Sequence, residues 1–271
     1  MDLKPVNQAV VVLSVVAAIL FGSGWIIKEF GVSLELWGYT HLYGPLYTAA
    51  IAVCVPVVLL SIYSRSLRDK AIVQLAALNN WRVEQNFGKK GSGFFAGYKK
   101  IGSVDISDFP FFGMATQLRN ALVDKHGFPD VIGVRTGSGD NSRMQTVYCF
   151  QNQFDSPVFQ IYKEGGLSKF GQMVTSTVGA DKDIDFDEDK DFSDSFVLKG
   201  ADEESIRALF VGSLRQYFSN HSTAQDWQIE SGRAVTIFYR HGKLAAPDVI
   251  VGERNECLSI QKKLESYRQR I

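Results

Sequence analysis

Apolar residues are unevenly spread along this chain. Two unbroken runs, 8–27 (QAVVVLSVVAAILFGSGWII) and 45–63 (PLYTAAIAVCVPVVLLSIY), stand before a region in which apolar and polar positions alternate. Neither run contains an acid, Lys, Arg or His. Each is about 20 residues, the length an α-helix needs to cross about 30 Å of hydrocarbon. The pattern predicts a transmembrane hairpin over 1–64. A cleaved signal peptide is the alternative for the first run, but such a segment has a shorter apolar centre and a small-residue cleavage site. Here the run ends on Trp25, Ile26 and Ile27, and a second run follows. A buried core helix is the alternative for the second, but a core helix of that length carries polar residues on one side. Pro56 lies inside it, which a bilayer tolerates where neighbouring groups satisfy the freed carbonyl, with a kink expected there.

Aromatic residues Trp25, Trp37, Tyr39, Tyr43, Tyr47 and Tyr63 gather at the ends of the two runs, as at a membrane–water boundary. Lys4 precedes the first run, and Arg65, Arg68 and Lys70 follow the second. The positive-inside rule then places both termini in the cytoplasm of a cell whose inner membrane the chain crosses twice. Arg65, Arg68 and Lys70, with Lys89 and Lys90 in a Gly- and Lys-rich stretch, are candidate lipid contacts, worth about 1 kcal/mol each near anionic head groups.

Beyond the hairpin the periodicity changes. Residues 65–80 read as a juxtamembrane helix ended by Asn79–Asn80, and 81–84 as a short strand. Residues 87–102 (FGKKGSGFFAGYKKIG) read as a loop. Period-two alternation predicts strands over 118–123, 130–136, 143–151, 157–163 and 196–199. A short helix is expected at 167–174. A longer one is expected from 201 to 219, with acids in its first turn and Ile206, Leu209, Phe210, Leu214 and Phe218 on one face. A hairpin around Gly232-Arg233 and a final helix over 248–270 follow. In that helix Val251, Cys257, Ile260, Leu264 and Tyr267 are the candidate inner positions. Strands adjoin strands more than they alternate with helices. The expected class is α+β, with a mainly antiparallel sheet in a soluble domain over 81–271.

The 271 residues carry 29 basic and 29 acidic side chains, so no basic excess points to nucleic acid. Three cysteines, Cys54, Cys149 and Cys257, make no disulfide framework. The acidic run 181–194 holds Asp183, Asp185, Asp187 and Asp194 at positions 1, 3, 5 and 12 of a calcium loop. Glu188 stands where that loop needs Gly. The other reading is a solvated acidic edge with Ile184, Phe186 and Phe192 directed inward as a strand. The glycines of 88–93 lack phosphate-loop spacing, no zinc spacing occurs, and there is no GxSxG. Cys149 reads as core, and His126 and His221 as turn residues. No cofactor is implied and no catalytic residue can be named.

The succession PVFQIYKEG, DIDFDEDKDFSDSFVLKGADEESIRALF and DWQIESGRAVTIFYR resembles an uncharacterised family of bacterial membrane proteins with an N-terminal two-helix hairpin and a soluble α+β domain. The likeness covers about 81–267 and the hairpin. It implies a core containing Phe192, Phe196, Leu209 and Phe210, with Trp227 facing Tyr239. It carries no catalytic residue across. The expected function is a non-enzymatic binding or interaction domain on the cytoplasmic face of the membrane, partnered by lipid and a membrane or cytoplasmic protein. The alternatives are a membrane-associated hydrolase and an accessory subunit of an envelope or transport complex.

Overall fold

A computed structural model describes residues 16, 43–84, 89–90, 98–101, 104–105, 109–113, 115–137, 142–164 and 183–269. The chain forms two compact units, Met1–Gln74 and Leu75–Ile271. The first apolar run, apart from Val16, and the helix expected at 167–174 lie outside the described residues.

The second apolar run and the expected juxtamembrane helix are one continuous helix, Tyr43–Leu78, of 36 residues. At 1.5 Å per residue it is about 54 Å long. It passes through Pro56, which lacks the N–H that would bind the Ala52 carbonyl. Asn80 ends it in the left-handed region at φ 56°, the Trp81 N–H closes back on the Ala76 carbonyl at 2.9 Å, and Asn79 Nδ2 donates to the Leu75 carbonyl at 2.9 Å. This is a Schellman-type stop with Asn in the place usually taken by Gly. Among the described residues it is the one helix long and apolar enough to cross a membrane.

The second unit is α+β. Its strands are β1 (Arg82–Glu84), β2 (Lys89–Lys90), β3 (Tyr98–Ile101), β4 (Val104–Asp105), β5 (Ala115–Val123), β6 (Pro129–Thr136), β7 (Arg143–Gln151), β8 (Phe159–Lys163), β9 (Phe196–Lys199), β10 (Gln228–Ser231) and β11 (Val235–Tyr239). Eight of them make one sheet in the order β1-β5-β6-β7-β11-β10-β8-β9. Every neighbouring pair is antiparallel. The remaining three, β2-β3-β4, form a small separate sheet where a loop was expected. Lys89 pairs there with Lys100, and Lys90 with Tyr98.

Alternation along the strands gives the large sheet two dry faces. Ile132, Val134, Val147, Cys149, Val235 and Ile237 form one, capped by Phe109, Phe111 and Phe112. Phe150 and Phe238, edge-on at 5.5 Å, belong to the other. Against that face packs the final helix, Ile250–Arg268, whose Cys257, Ile260, Leu264 and Tyr267 are buried. Val251 is only half-buried, and Ile250 takes the inner place at its first turn.

The helix expected over 201–219 is two helices, Glu203–Leu209 and Gly212–Asn220. Phe210 leaves helical geometry at ψ 54° and Val211 is extended. The freed Phe210 carbonyl accepts from Arg215 Nη1 at 2.8 Å. The break seats Phe210 against Phe159 (5.1 Å) and Phe218 (5.9 Å) without losing the apolar phase of Leu214. Phe192, Phe196, Leu209 and Phe210 are all buried. Trp227 and Tyr239 do not face each other. Trp227 lies edge-on to Tyr148 at 5.5 Å, while Tyr239 lies tilted against Phe111 at 4.3 Å.

Candidate functional site

The final helix carries more than an apolar face. Gln261, Glu265 and Arg268 are buried beside Leu264, and the Arg268 side chain is wholly inaccessible. A guanidinium out of water needs hydrogen-bond partners, and here both terminal nitrogens find them while the buried Nε does not. Nη1 donates to Glu265 Oε1 at 2.6 Å and to Asn152 Oδ1 at 2.9 Å. Nη2 donates to Ser231 Oγ at 2.8 Å and Thr236 Oγ1 at 3.1 Å. Ser231 and Thr236 sit opposite each other in the β10–β11 hairpin, so one turn presents both hydroxyls. Asn152 gathers the rest. Its Oδ1 accepts from Thr236 Oγ1 at 2.7 Å and Gln261 Nε2 at 3.1 Å, and its Nδ2 donates to the Gly232 carbonyl at 2.8 Å. Burial pulls the Arg268 guanidinium below its ordinary value, and Glu265 opposes that shift.

Over this network lies a groove of about 430 Å³, between the final helix, the 124–130 turn and the end of β7. Arg254, Leu258, Gln261, Lys262, Glu265 and Gln269 line it along one side of the helix. Opposite stand Asp124, Asp130, Gln151 and Gln153, with Phe128, Phe150 and Phe154 supplying apolar surface. The turn is built by Asp124, whose Oδ1 accepts from the His126 and Phe128 backbone N–H groups at 2.8 Å each, and by Gly127 at φ +84°. Asp130 Oδ2 accepts from Trp81 Nε1 at 2.8 Å and from Arg254 Nη2 at 2.9 Å. Burial raises the Asp130 carboxyl above its ordinary value, although Arg254 and Trp81 both act to lower it. Arg254 also lies 5.5 Å from the Phe150 ring centroid. Gln261 Oε1, Glu265 Oε2 and Arg254 Nε are buried and have no hydrogen-bond partner.

A third buried acid, Glu230, sits on the opposite face of the sheet. Tyr239 Oη donates to Oε1 at 2.7 Å and the Phe111 N–H to Oε2 at 3.4 Å. Burial pushes this carboxyl up to about 7, against the lowering effect of both hydrogen bonds. Burial and the Glu230 charge push Tyr239 up.

The residues singled out by sequence are scattered. Asp183 Oδ1 accepts from the Leu198 N–H at 3.3 Å and its backbone forms a β-bridge with that of Lys199; Asp185 and Asp187 are exposed, and Asp194 is the C-cap of the helix Lys190–Ser193. Among the described residues no group of three or more His, Cys, Asp or Glu could hold a metal ion. Ile184, Phe186 and Phe192 are buried as expected, but the segment is a turn and a short helix rather than a strand. Arg215 anchors the segment through Asp189 at 3.0 Å and Glu188 at 3.1 Å, with its guanidinium 4.2 Å from the Phe186 centroid. Arg65 and Lys70 are exposed on the long helix, Arg68 is half-buried there, and Lys89 and Lys90 form β2. Cys149 is in the core, where burial raises its thiol, and none of Cys149, His126 and His221 lines the groove. The groove's own buried polar residues escaped sequence reasoning. Their one signal was the i, i+4, i+7 spacing of Gln261, Glu265 and Arg268 alongside Leu264.

Fold and groove together define an α+β domain with an unusually polar seam under its last helix. No family model matches the chain, and no curated protein matches it. Among solved structures it is similar to the crystal structure of the mycobacterial trehalose monomycolate transport factor A, TtfA. The identity is 9% and the TM-score 0.38, over 73% of this chain and 92% of that chain. A likeness at that level carries no argument about function.

Proposed function

We propose that this chain is a membrane-anchored protein whose α+β domain is a non-enzymatic binding or interaction module on the cytoplasmic face of a bacterial inner membrane. The observation that carries the anchor is the surface of the long helix. Ile51, Val55, Val58, Leu59 and Ile62 are each more than half exposed along successive turns. Each such side chain gains about 1.5–3 kcal/mol on leaving water. With the run 8–27 as its partner, this helix makes the two-helix hairpin of the family that the sequence resembles. Arg65 and Lys70, exposed beyond the apolar part, suit anionic head groups. The binding role rests on the groove, whose size falls within the 300–1,000 Å³ of small-molecule sites. Ser266 brings the one hydroxyl to its lining, and that hydroxyl donates to the Lys263 carbonyl at 2.7 Å rather than to a base.

Protease accessibility of a C-terminal tag tests the orientation. In intact spheroplasts the tag is expected to survive, and in inverted membrane vesicles to be cleaved. The reverse pattern would place the domain outside. Purification from membranes in mild detergents tests the interaction role: co-purifying partner or ligand is expected, and a monomer that emerges bare in every detergent would contradict it.

A further inference from the structure

We propose that the groove under the final helix binds a neutral, hydroxyl-rich ligand of the carbohydrate class; this rests on the reading of the domain as a binding module and names what it binds. Hydrogen-bonding capacity beside the groove is left unused. Gln261 is 3% and Glu265 7% exposed, yet Gln261 Oε1 and Glu265 Oε2 meet no donor. Arg254 Nε, on the same side of the helix about two and three turns earlier, meets no acceptor. Unpaired buried polar atoms are costly, and a bound group that supplies both donors and acceptors removes the cost. A hydroxyl does both at once, with one donor and two acceptor sites.

Charge narrows the class. Three carboxylates (Asp124, Asp130, Glu265) and two cations (Arg254, Lys262) line the groove. Asp130 pairs with Arg254 at 2.9 Å and Glu265 with Arg268 at 2.6 Å, so these charges are compensated within the protein and do not call for an ionic ligand. Side-chain amides, which donate and accept, supply the remainder: Gln151, Gln153 and Gln269 are exposed at the rim, with Gln261 buried below. The apolar part of the lining fits the C–H face of a sugar ring. Phe128 and Phe150 are each 6% exposed, and Phe154 is 40% exposed at the mouth.

The test uses the full chain in a detergent without a sugar head group, titrated with glucose, galactose, mannose and maltose and followed by saturation-transfer NMR. At least one of these neutral sugars is expected to bind. Its charged relatives, glucosamine and glucuronate, are expected to bind at least about tenfold more weakly, as is an analogue lacking one contacted hydroxyl. Gln261→Leu is expected to abolish the signal. Because that variant perturbs a buried network, Gln153→Ala and Phe154→Ala, both at exposed positions, serve beside it and are expected to weaken binding at least about tenfold. Saturation by no neutral sugar, tighter binding of either charged relative, or binding indifferent to the rim variants would overturn the proposal. A short peptide or an amine that binds and is displaced by the rim substitutions would overturn the ligand class alone. Indifference of every ligand and of every co-purifying partner to those substitutions would overturn the binding role of the groove as well.

Discussion

Glu230 shows how one residue can set the pH response of a domain. Its carboxyl is buried, titrates near 7 rather than the ordinary 4.5, and is held by Tyr239 and the Phe111 backbone. In that interval the folded chain binds a proton that the unfolded chain has released, so stability falls as pH rises from 4.5 to 7. At about 1.4 kcal/mol per pKa unit the loss amounts to about 3 kcal/mol above pH 7 and vanishes below 4.5. Glu230→Gln removes this dependence. Urea denaturation should show the variant gaining up to about 3 kcal/mol on wild type between pH 4 and pH 8. Parallel curves for the two proteins across that range would contradict the assignment. Arg268 makes the opposite kind of prediction. Arg268→Ala leaves Glu265 buried without its cation and should cost about 3–5 kcal/mol in the same measurement. Neither role was legible in the sequence. A Glu in a strand (QIES) and a Gln, a Glu and an Arg on a helix read as solvent-facing, because what buries them comes from distant segments.

At the scale of elements, local signals were legible and long-range pairing was not. The strands β5, β6 and β7 follow from alternation in ATQLRNALV, PDVIGVRT and RMQTVYCFQ, joined by turns that Gly127 and Gly137 allow at positive φ. That the β10–β11 hairpin inserts between β7 and β8 has no local signature, since the pairings join residues about 70 to 90 positions apart. The two-residue interruption at Phe210–Val211 was hidden because apolar residues keep helical phase across it. Gly200, between β9 and the helix Glu203–Leu209, marks where these elements touch. A Cβ there would lie 2.4 Å from Ile206 Cδ1 and 2.5 Å from the Val158 carbonyl oxygen. Gly200→Ala is therefore expected to destabilise the domain by about 1–3 kcal/mol in thermal or urea unfolding. An unchanged midpoint would show that the contact relaxes freely.

For the whole molecule, the uneven distribution of apolar residues along the chain remains the strongest statement it makes. The helix Tyr43–Leu78 exposes successive large apolar side chains, whereas the α+β unit turns its own inward. Water suits the second surface and a bilayer the first. The candidate site was legible only in part: its unit and fold class followed from periodicity, while the groove depends on how the last helix meets the sheet. Alkaline carbonate extraction of membranes carrying the full chain tests the central claim most directly. The intact polypeptide is predicted to stay in the membrane pellet, and its release into the supernatant would contradict the account.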